Sequence, residues 1–308
     1  MTSSTVTTQP VARPLSSGRI DVAGTIFAIL MLLALLFSLA VLAILVGSQL
    51  ANGLPVFAER GVDFLTSPLA SNPSKAGVFQ GIIGTALLAV IVSLVAFPVG
   101  IMTAVYLEEY APANAFSRFI DINIRNLAGV PSVVYGLLGL AVFVAIFADL
   151  GLGDGRNVLS GGLTLAVLIL PLVIITSAEA IRAVPLALRE AGFGIGASRW
   201  QVVRQLVLPA AAPGILTGTV LALSRAIGET APLILAGAVL GSFSSGGGVA
   251  EVLTGPYTAL SAIVFDWSKK PQAGFRADTS AAIIVLLAIT ILANGVAIIL
   301  RNRYDRRW

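Results

Sequence analysis

The sequence predicts an all-α integral membrane protein with six transmembrane helices and with its N- and C-termini cytoplasmic. Composition, periodic apolar windows and charge placement lead there. Hydrophobic residues fill 57% of 308 positions, charged residues 11%, and mean hydropathy is +0.96, values outside the range of ordinary soluble domains. A bilayer crossing takes about 20 apolar residues. Windows of that kind run Val22–Val46, Val78–Leu107, Asn126–Ala148, Asn157–Ala178, roughly Pro213–Leu240 and Ser280–Leu300. Six crossings return the chain to its starting side. Of the 19 basic residues, twelve then share the N-terminal side, six lie opposite, and Arg225 falls within the fifth window. The basic excess marks the cytoplasmic side.

Residues 1–20, rich in Ser, Thr and Pro, read as a disordered cytoplasmic tail. The window that follows is too long for a signal peptide's apolar core and suits a retained helix. With an extracytoplasmic loop it occupies residues 21–77. Five further spans fill 78–302, and 303–308 is a basic cytoplasmic tail. Pro98, Pro171 and Pro232 each remove a backbone donor, so kinks are expected at or before them. Pro213 suits the first turn of the fifth span. Gly214-x-x-x-Gly218 and Gly237-x-x-x-Gly241 lie on that span and would let another helix approach closely, although glycine is also common in membrane helices generally. The outer loop Ser242–Gly248 is Gly/Ser-rich and expected to be flexible. Tyr257, Phe265 and Trp267 read as aromatic anchors at the membrane surface, and Glu108, Glu109 and Arg182 as charges at the cytoplasmic edge. No internal repeat is visible.

The chain has no Cys and no His, which excludes thiolate nucleophiles, the usual zinc sites and histidine proton relays. No metal site and no catalytic set is expected. The formal charge of +4 resides mainly in loops and tails and gives no sign of nucleic-acid binding. Lys75, Lys269 and Lys270 are the only lysines, and none follows a Gly-rich loop as a nucleotide-binding P-loop requires. Energy from ATP would have to enter through a partner.

Arg225 and Glu229 interrupt an apolar run, four residues apart, and on a helix would share a face. Ionisable groups at membrane depth are costly and commonly line a bundle interior or a solute path. A guanidinium keeps its proton and donates two parallel hydrogen bonds, which suits an oxyanion. Glu229 would leave the locality nearly neutral, so that an anion is held weakly enough to leave. The alternative is an ion pair that only locks the bundle. Ser132 and Tyr135, after Pro131, offer hydroxyls to the same path or serve helix packing.

Between the fourth and fifth spans lies a segment of about thirty residues, Glu179–Pro209, too long for a minimal connection. Ser198 and Gln201 form a capping-box pattern, predicting a short helix from Arg199 to about Val207, with Trp200, Val203 and Leu206 as its apolar stripe and Arg199 and Arg204 facing polar surroundings. Pro209 is expected to end it. Glycines 192, 194 and 196 would permit a tight turn. Such a segment fits a groove in another protein, or lies on lipid headgroups.

The stretch Glu190-Ala191-Gly192-x-x-x-Gly196-Ala197, closed by Leu208-Pro209, resembles the EAA loop of importer-type ABC permeases, with Gly192 where that family usually has Ala. The resemblance implies a type I permease fold. It further implies that Glu190, Ala191, Gly196, Ala197, Ser198, Arg199 and Trp200 form a coupling helix against an ATPase subunit. The runs Asn126–Gly136 and Arg225–Leu233 look like signatures of phosphate permeases, and Thr230-Ala231-Pro232-Leu233 is closer to the PstA type than to the PstC type. The similarity covers roughly 78–302. It implies a cell-membrane heterodimer with a PstC-type permease, a PstB-type ATPase dimer that binds the ATP, a PstS-type extracytoplasmic phosphate-binding protein, and no cofactor in this chain. Other readings are a permease for sulfate or molybdate, or a stand-alone secondary anion transporter, against which the lack of inverted repeats argues.

Overall fold

A computed structural model describes residues 22–238 and 249–304, and its regular structure there is helical throughout. The tail at 1–20, residues 305–308, Gly241 and the loop Ser242–Gly248 lie outside the described residues. Among the described residues, six helices are long and apolar enough to span a membrane. The chain divides into two units, residues 1–48 and 49–308.

Helix α1, Val22–Arg60, has 39 residues, about 58 Å at 1.5 Å per residue. Its portion before Gln49 exposes large apolar side chains on every face, among them Leu30, Leu33, Phe37 and Ile44, as a helix set in lipid does. The later turns belong to the second unit, where a Cβ on Gly53 would stand 2.7 Å from the Ala281 nitrogen.

Within the second unit, α2 is Phe79–Tyr110, its last five residues a π turn. Helix α3, Ala115–Ala128, starts where Asn114 accepts from the Ser117 amide at 2.9 Å. Helix α4 is Ser132–Asp149, α5 Val158–Arg182, α6 Leu186–Gly194 and α7 Arg199–Gly228. Short α8, Ala231–Leu235, and α9, Leu260–Lys269, precede α10, Ala273–Tyr304.

Helix α5 is the axis. An Asn157/Ser160 capping box starts it, and small residues let its neighbours close in. A Cβ on Gly100 of α2 would meet Val173 at 2.6 Å, and one on Gly214 of α7 would meet Ala180 at 2.7 Å; Gly218 abuts Thr176 and Gly139 of α4 abuts Thr164. The close approach expected of Gly214 and Gly218 is therefore present, made against α5.

Several expectations need correction. The third window is not one helix: α3 ends at Ala128 and α4 begins after Pro131, because proline lacks a donor and disfavours helical geometry in the residue before it. Pro209 does not end a helix. The π turn Val203–Val207 just ahead of it relaxes the clash with the preceding carbonyls, and the helix runs unbroken from Arg199 to Gly228. Pro213 consequently lies inside that helix. The fifth span stops at Gly228, well short of Leu240; Pro232 lies in the first turn of α8, and Gly237 follows that helix at φ +97°. Trp267 and Tyr257 are buried rather than surface anchors. The Trp267 ring packs between Phe64 and Phe275, with centroids 6.4 and 5.5 Å away. Phe265 stays partly exposed under Lys269.

Candidate functional site

The end of α7 carries the charged pair. Gly228 closes the helix and Glu229 is extended, φ −74° and ψ 130°, so the two residues do not share a helical face as expected. They still meet: Arg225 Nε is 3.3 Å from Glu229 Oε1. Two contacts hold the break. Ser261 Oγ donates to the Glu229 carbonyl at 3.1 Å. The Pro232 Cα occupies the space beside Gly136, 2.7 Å from where a Cβ would lie. This second contact joins the two sequence runs, Asn126–Gly136 and Arg225–Leu233, in one place.

The register between α7 and α5 gives the height of the site. Gly214 faces Ala180 and Gly218 faces Thr176. Seven residues further along α7, Arg225 is level with about Ile169, near the middle of α5 and roughly 20 Å from its Arg182 end at 1.5 Å per residue. A cation in the last turn of a helix is favoured by the unpaired carbonyls and the negative end of the dipole. The Arg225 side chain remains 49% exposed against 18% for Glu229. Apart from the Nε contact, its donors have no partner among the described residues. It can therefore offer a guanidinium edge to an anion without first breaking a fork to protein.

Of the two hydroxyl candidates, Tyr135 is buried, and its Oη donates to the Leu127 carbonyl at 2.9 Å across the α3–α4 break. That contact is the packing alternative; the donor is already engaged. Ser132 opens α4 half-buried. Sequence reading missed Asn294. It lies on α10 against Ser224, the residue beside Arg225, and shares with it a cavity of about 260 Å³ lined also by Leu216, Val220 and Leu221. A lone amide in an apolar helix was the available signal.

The second group of candidates sits at the other end of α5. The predicted box is formed, with the Ser198 amide donating to Gln201 Oε1 at 2.8 Å. Gly196 takes φ +83°, the left-handed turn that reverses α6 onto α7. The buried stripe differs from the one expected. Val202, Val203 and Val207 pack inward, and Gly192 lies against Leu206 and Val202. Trp200 points out and is 58% exposed. Glu190, Ala191, Gly196, Ser198 and Arg199 are exposed too, Ala197 is half-buried, and Arg199 stacks over Tyr110 at 5.4 Å. Phe193 and Ile195, 49% and 86% exposed, extend this apolar surface and were not anticipated.

The edge charges prove to be paired. Arg182 Nη2 donates to Glu108 Oε1 at 2.5 Å and Nε to Oε2 at 3.2 Å. Arg189 of α6 donates to Glu109 Oε1 through Nη2 at 2.8 Å and Nε at 3.1 Å. Glu108 and Glu109 adjoin in sequence yet reach different partners, as neighbouring positions on a helical turn do.

Comparison with known proteins agrees with this architecture. The pattern of the family described as binding-protein-dependent transport system inner membrane component matches residues 96–308. The probable ABC transporter permease protein YqgH of Bacillus subtilis is 40% identical over 186 residues, which is 58% of this chain and 60% of that protein's length. The phosphate transport system permease protein PstA 1 of Mycobacterium tuberculosis is 33% identical over 224 residues, covering 72% and 70%. The corresponding PstC protein of Mesorhizobium japonicum is 31% identical over 270 residues, covering 80% of each. Among solved structures, an inward-facing MetNI methionine ABC transporter superposes with a TM-score of 0.60 at 17% identity, over 74% of this chain and 96% of that one. A bacterial alginate ABC transporter, in complex with a periplasmic protein bound to an alginate pentasaccharide, gives 0.59 at 15% identity, over 90% and 95%.

Proposed function

This chain belongs to the family of binding-protein-dependent transport system inner membrane components, and from that premise we propose that it forms half of the translocation path of an ATP-driven phosphate importer. Membership makes it a multi-pass permease subunit of an ABC importer and not itself an enzyme. Phosphate as cargo is supported by the PstA and PstC relatives. The observation that carries the reading is Arg225, an arginine whose Nη donors are unengaged among the described residues, at a helix break midway along the bundle.

Phosphate carries one to two negative charges near neutral pH. Arg225 would bind two of its oxygens through the guanidinium edge that Glu229 leaves open. Glu229 offsets the positive field and keeps the anion from being trapped. The α6–α7 loop would face the cytoplasm, in line with the basic excess on that side. Its exposed Ala191, Phe193, Ile195 and Trp200 supply an apolar surface for a groove in the ATPase, with Glu190 and Arg199 as polar rim. Closure of the ATPase pair would tilt α5 and α7 about the site and so open it alternately to either side. The companion permease is of PstC type if this chain is of PstA type, and an extracytoplasmic binding protein delivers the phosphate.

The test is uptake of labelled phosphate by the purified complex in liposomes. Charge-assisted hydrogen bonds contribute about 1.5–3 kcal/mol each, so Arg225→Ala should cut uptake about tenfold to a hundredfold. Arg225→Lys should also fall, because a point charge lacks the planar fork. Full uptake in both variants would make the residue scaffold and remove the basis for the assignment. Sulfate or molybdate competing as well as phosphate would widen the cargo to oxyanions generally. Transport by this chain alone would replace the importer with a secondary transporter.

A further inference from the structure

Arg189 precedes Glu190 in the loop, and nothing in the importer reading assigns it a task. Its guanidinium makes four hydrogen bonds to three places. Two go to Glu109 on the π turn of α2. Nη1 donates to the Val184 carbonyl at 2.6 Å, in the turn after α5, and Nη2 to the Ile181 carbonyl at 2.9 Å, in the last turn of α5. The Arg189 and Glu109 side chains are only 16% and 10% exposed, so water does little to screen them. Resting on the importer reading, the geometry points to Glu109–Arg189 as the joint through which the coupling loop drives the bundle, with Arg189 as a positioning residue.

The physical argument concerns which helices the loop can move. Helix α6 continues into α7 on its C-terminal side and is joined to α5 on its N-terminal side by the short turn Ala183–Pro185. A turn of that kind can hinge. Arg189 closes it: the same guanidinium that donates to the Ile181 carbonyl in the last turn of α5 and to the Val184 carbonyl in the linking turn also grips α2, 80 residues earlier in sequence. A push on α6 is then delivered to α2 and α5 together, rather than absorbed in the turn. The neighbouring Glu108–Arg182 pair fixes α2 to α5 but does not touch the loop, so it cannot substitute. Glu108 and Glu109 are neighbours on the turn Tyr106–Tyr110, so one segment serves both pairs.

A joint and a merely stabilising pair differ in one observable, the phosphate delivered per ATP hydrolysed. In the reconstituted complex, Glu109→Gln and Arg189→Met should lower that ratio at least about tenfold, on the scale of a lost buried charge-assisted contact, while ATP hydrolysis continues. Glu108→Gln should change it little. The chain has no cysteine, so Glu109→Cys with Arg189→Cys, in a complex free of other reactive thiols, can be bridged by a reversible bifunctional thiol reagent. Bridging should restore coupling to within about twofold of the parent, and reduction should abolish it again. An unchanged ratio in the single variants overturns the joint. If those variants fail to assemble, the cysteine pair decides, and a bridge that does not restore coupling also overturns it. A parent complex that takes up no phosphate would instead overturn the importer reading, which keeps the two failures distinct.

Discussion

Gly84 shows how closely single positions are fitted. The carbonyl oxygen of Thr258 occupies the space where its Cβ would be, and next to it Thr85 Oγ1 accepts from the Leu260 amide at 3.0 Å. Backbone facing backbone cannot yield as a side-chain tip can. Overpacking of this kind costs about 1–3 kcal/mol, and each kcal/mol lowers the melting temperature by about 2–4 °C in a unit of this size. Gly84→Ala should therefore melt several degrees below the parent in detergent. Gly295→Ala, with open space around it in the chain, should match or slightly exceed the parent, since alanine is the better helix former. Equal melting of the two would mean that the Thr258 segment is not seated on α2. Residues differed in how far the sequence revealed them. Arg225 was legible because a charge in an apolar run is conspicuous. Arg189 was not, since its meaning depends on Glu109, which no local pattern links to it. Asn294 was passed over because one amide scarcely lowers the hydropathy of its window.

At the scale of elements, hydropathy foretold that spans exist but not where they break. Apolar residues continue past Gly228, and the helix ends there through tertiary contacts, Ser261 on the Glu229 carbonyl and Gly136 on Pro232. The capping box at Ser198 was legible because both its residues lie within one turn. Its outcome, a helix running through Pro209, depended on a π turn that no proline rule announces. The α6–α7 turn itself makes a prediction. Gly196 holds φ +83°, where a Cβ costs about 1–2 kcal/mol and asparagine less than alanine or a β-branched residue. Amide exchange across residues 190–198 should accelerate in the order Gly196→Asn, Gly196→Ala, Gly196→Val, while α5 stays protected. Coupled uptake should fall in the same order. Equal exchange in all three would remove the strained turn as the element that presents the docking surface.

For the whole molecule the prediction concerns direction, because spans of this kind can be threaded either way with the same packing. The sequence expectation, from twelve basic residues against six, is that the α6–α7 loop faces the cytoplasm, since Lys and Arg in short loops are retained there during insertion. The opposite end carries its own fixed point: Arg60 donates to the Pro73 and Ala76 carbonyls and lies 3.5 Å from Asp278, holding the loop that contains Lys75. A chain without cysteine allows each end to be marked by one thiol. Ser198→Cys and Lys75→Cys are both at exposed positions and neither is in a buried contact. In intact cells whose outer envelope is permeable, a membrane-impermeant maleimide should label Lys75→Cys at once. Ser198→Cys should react only after the membrane is opened, and more slowly still in the presence of the proposed ATPase partner. Labelling in the reverse order would turn the coupling surface away from any cytoplasmic source of ATP. Neither Arg225 nor the Arg189 joint could then serve in uptake.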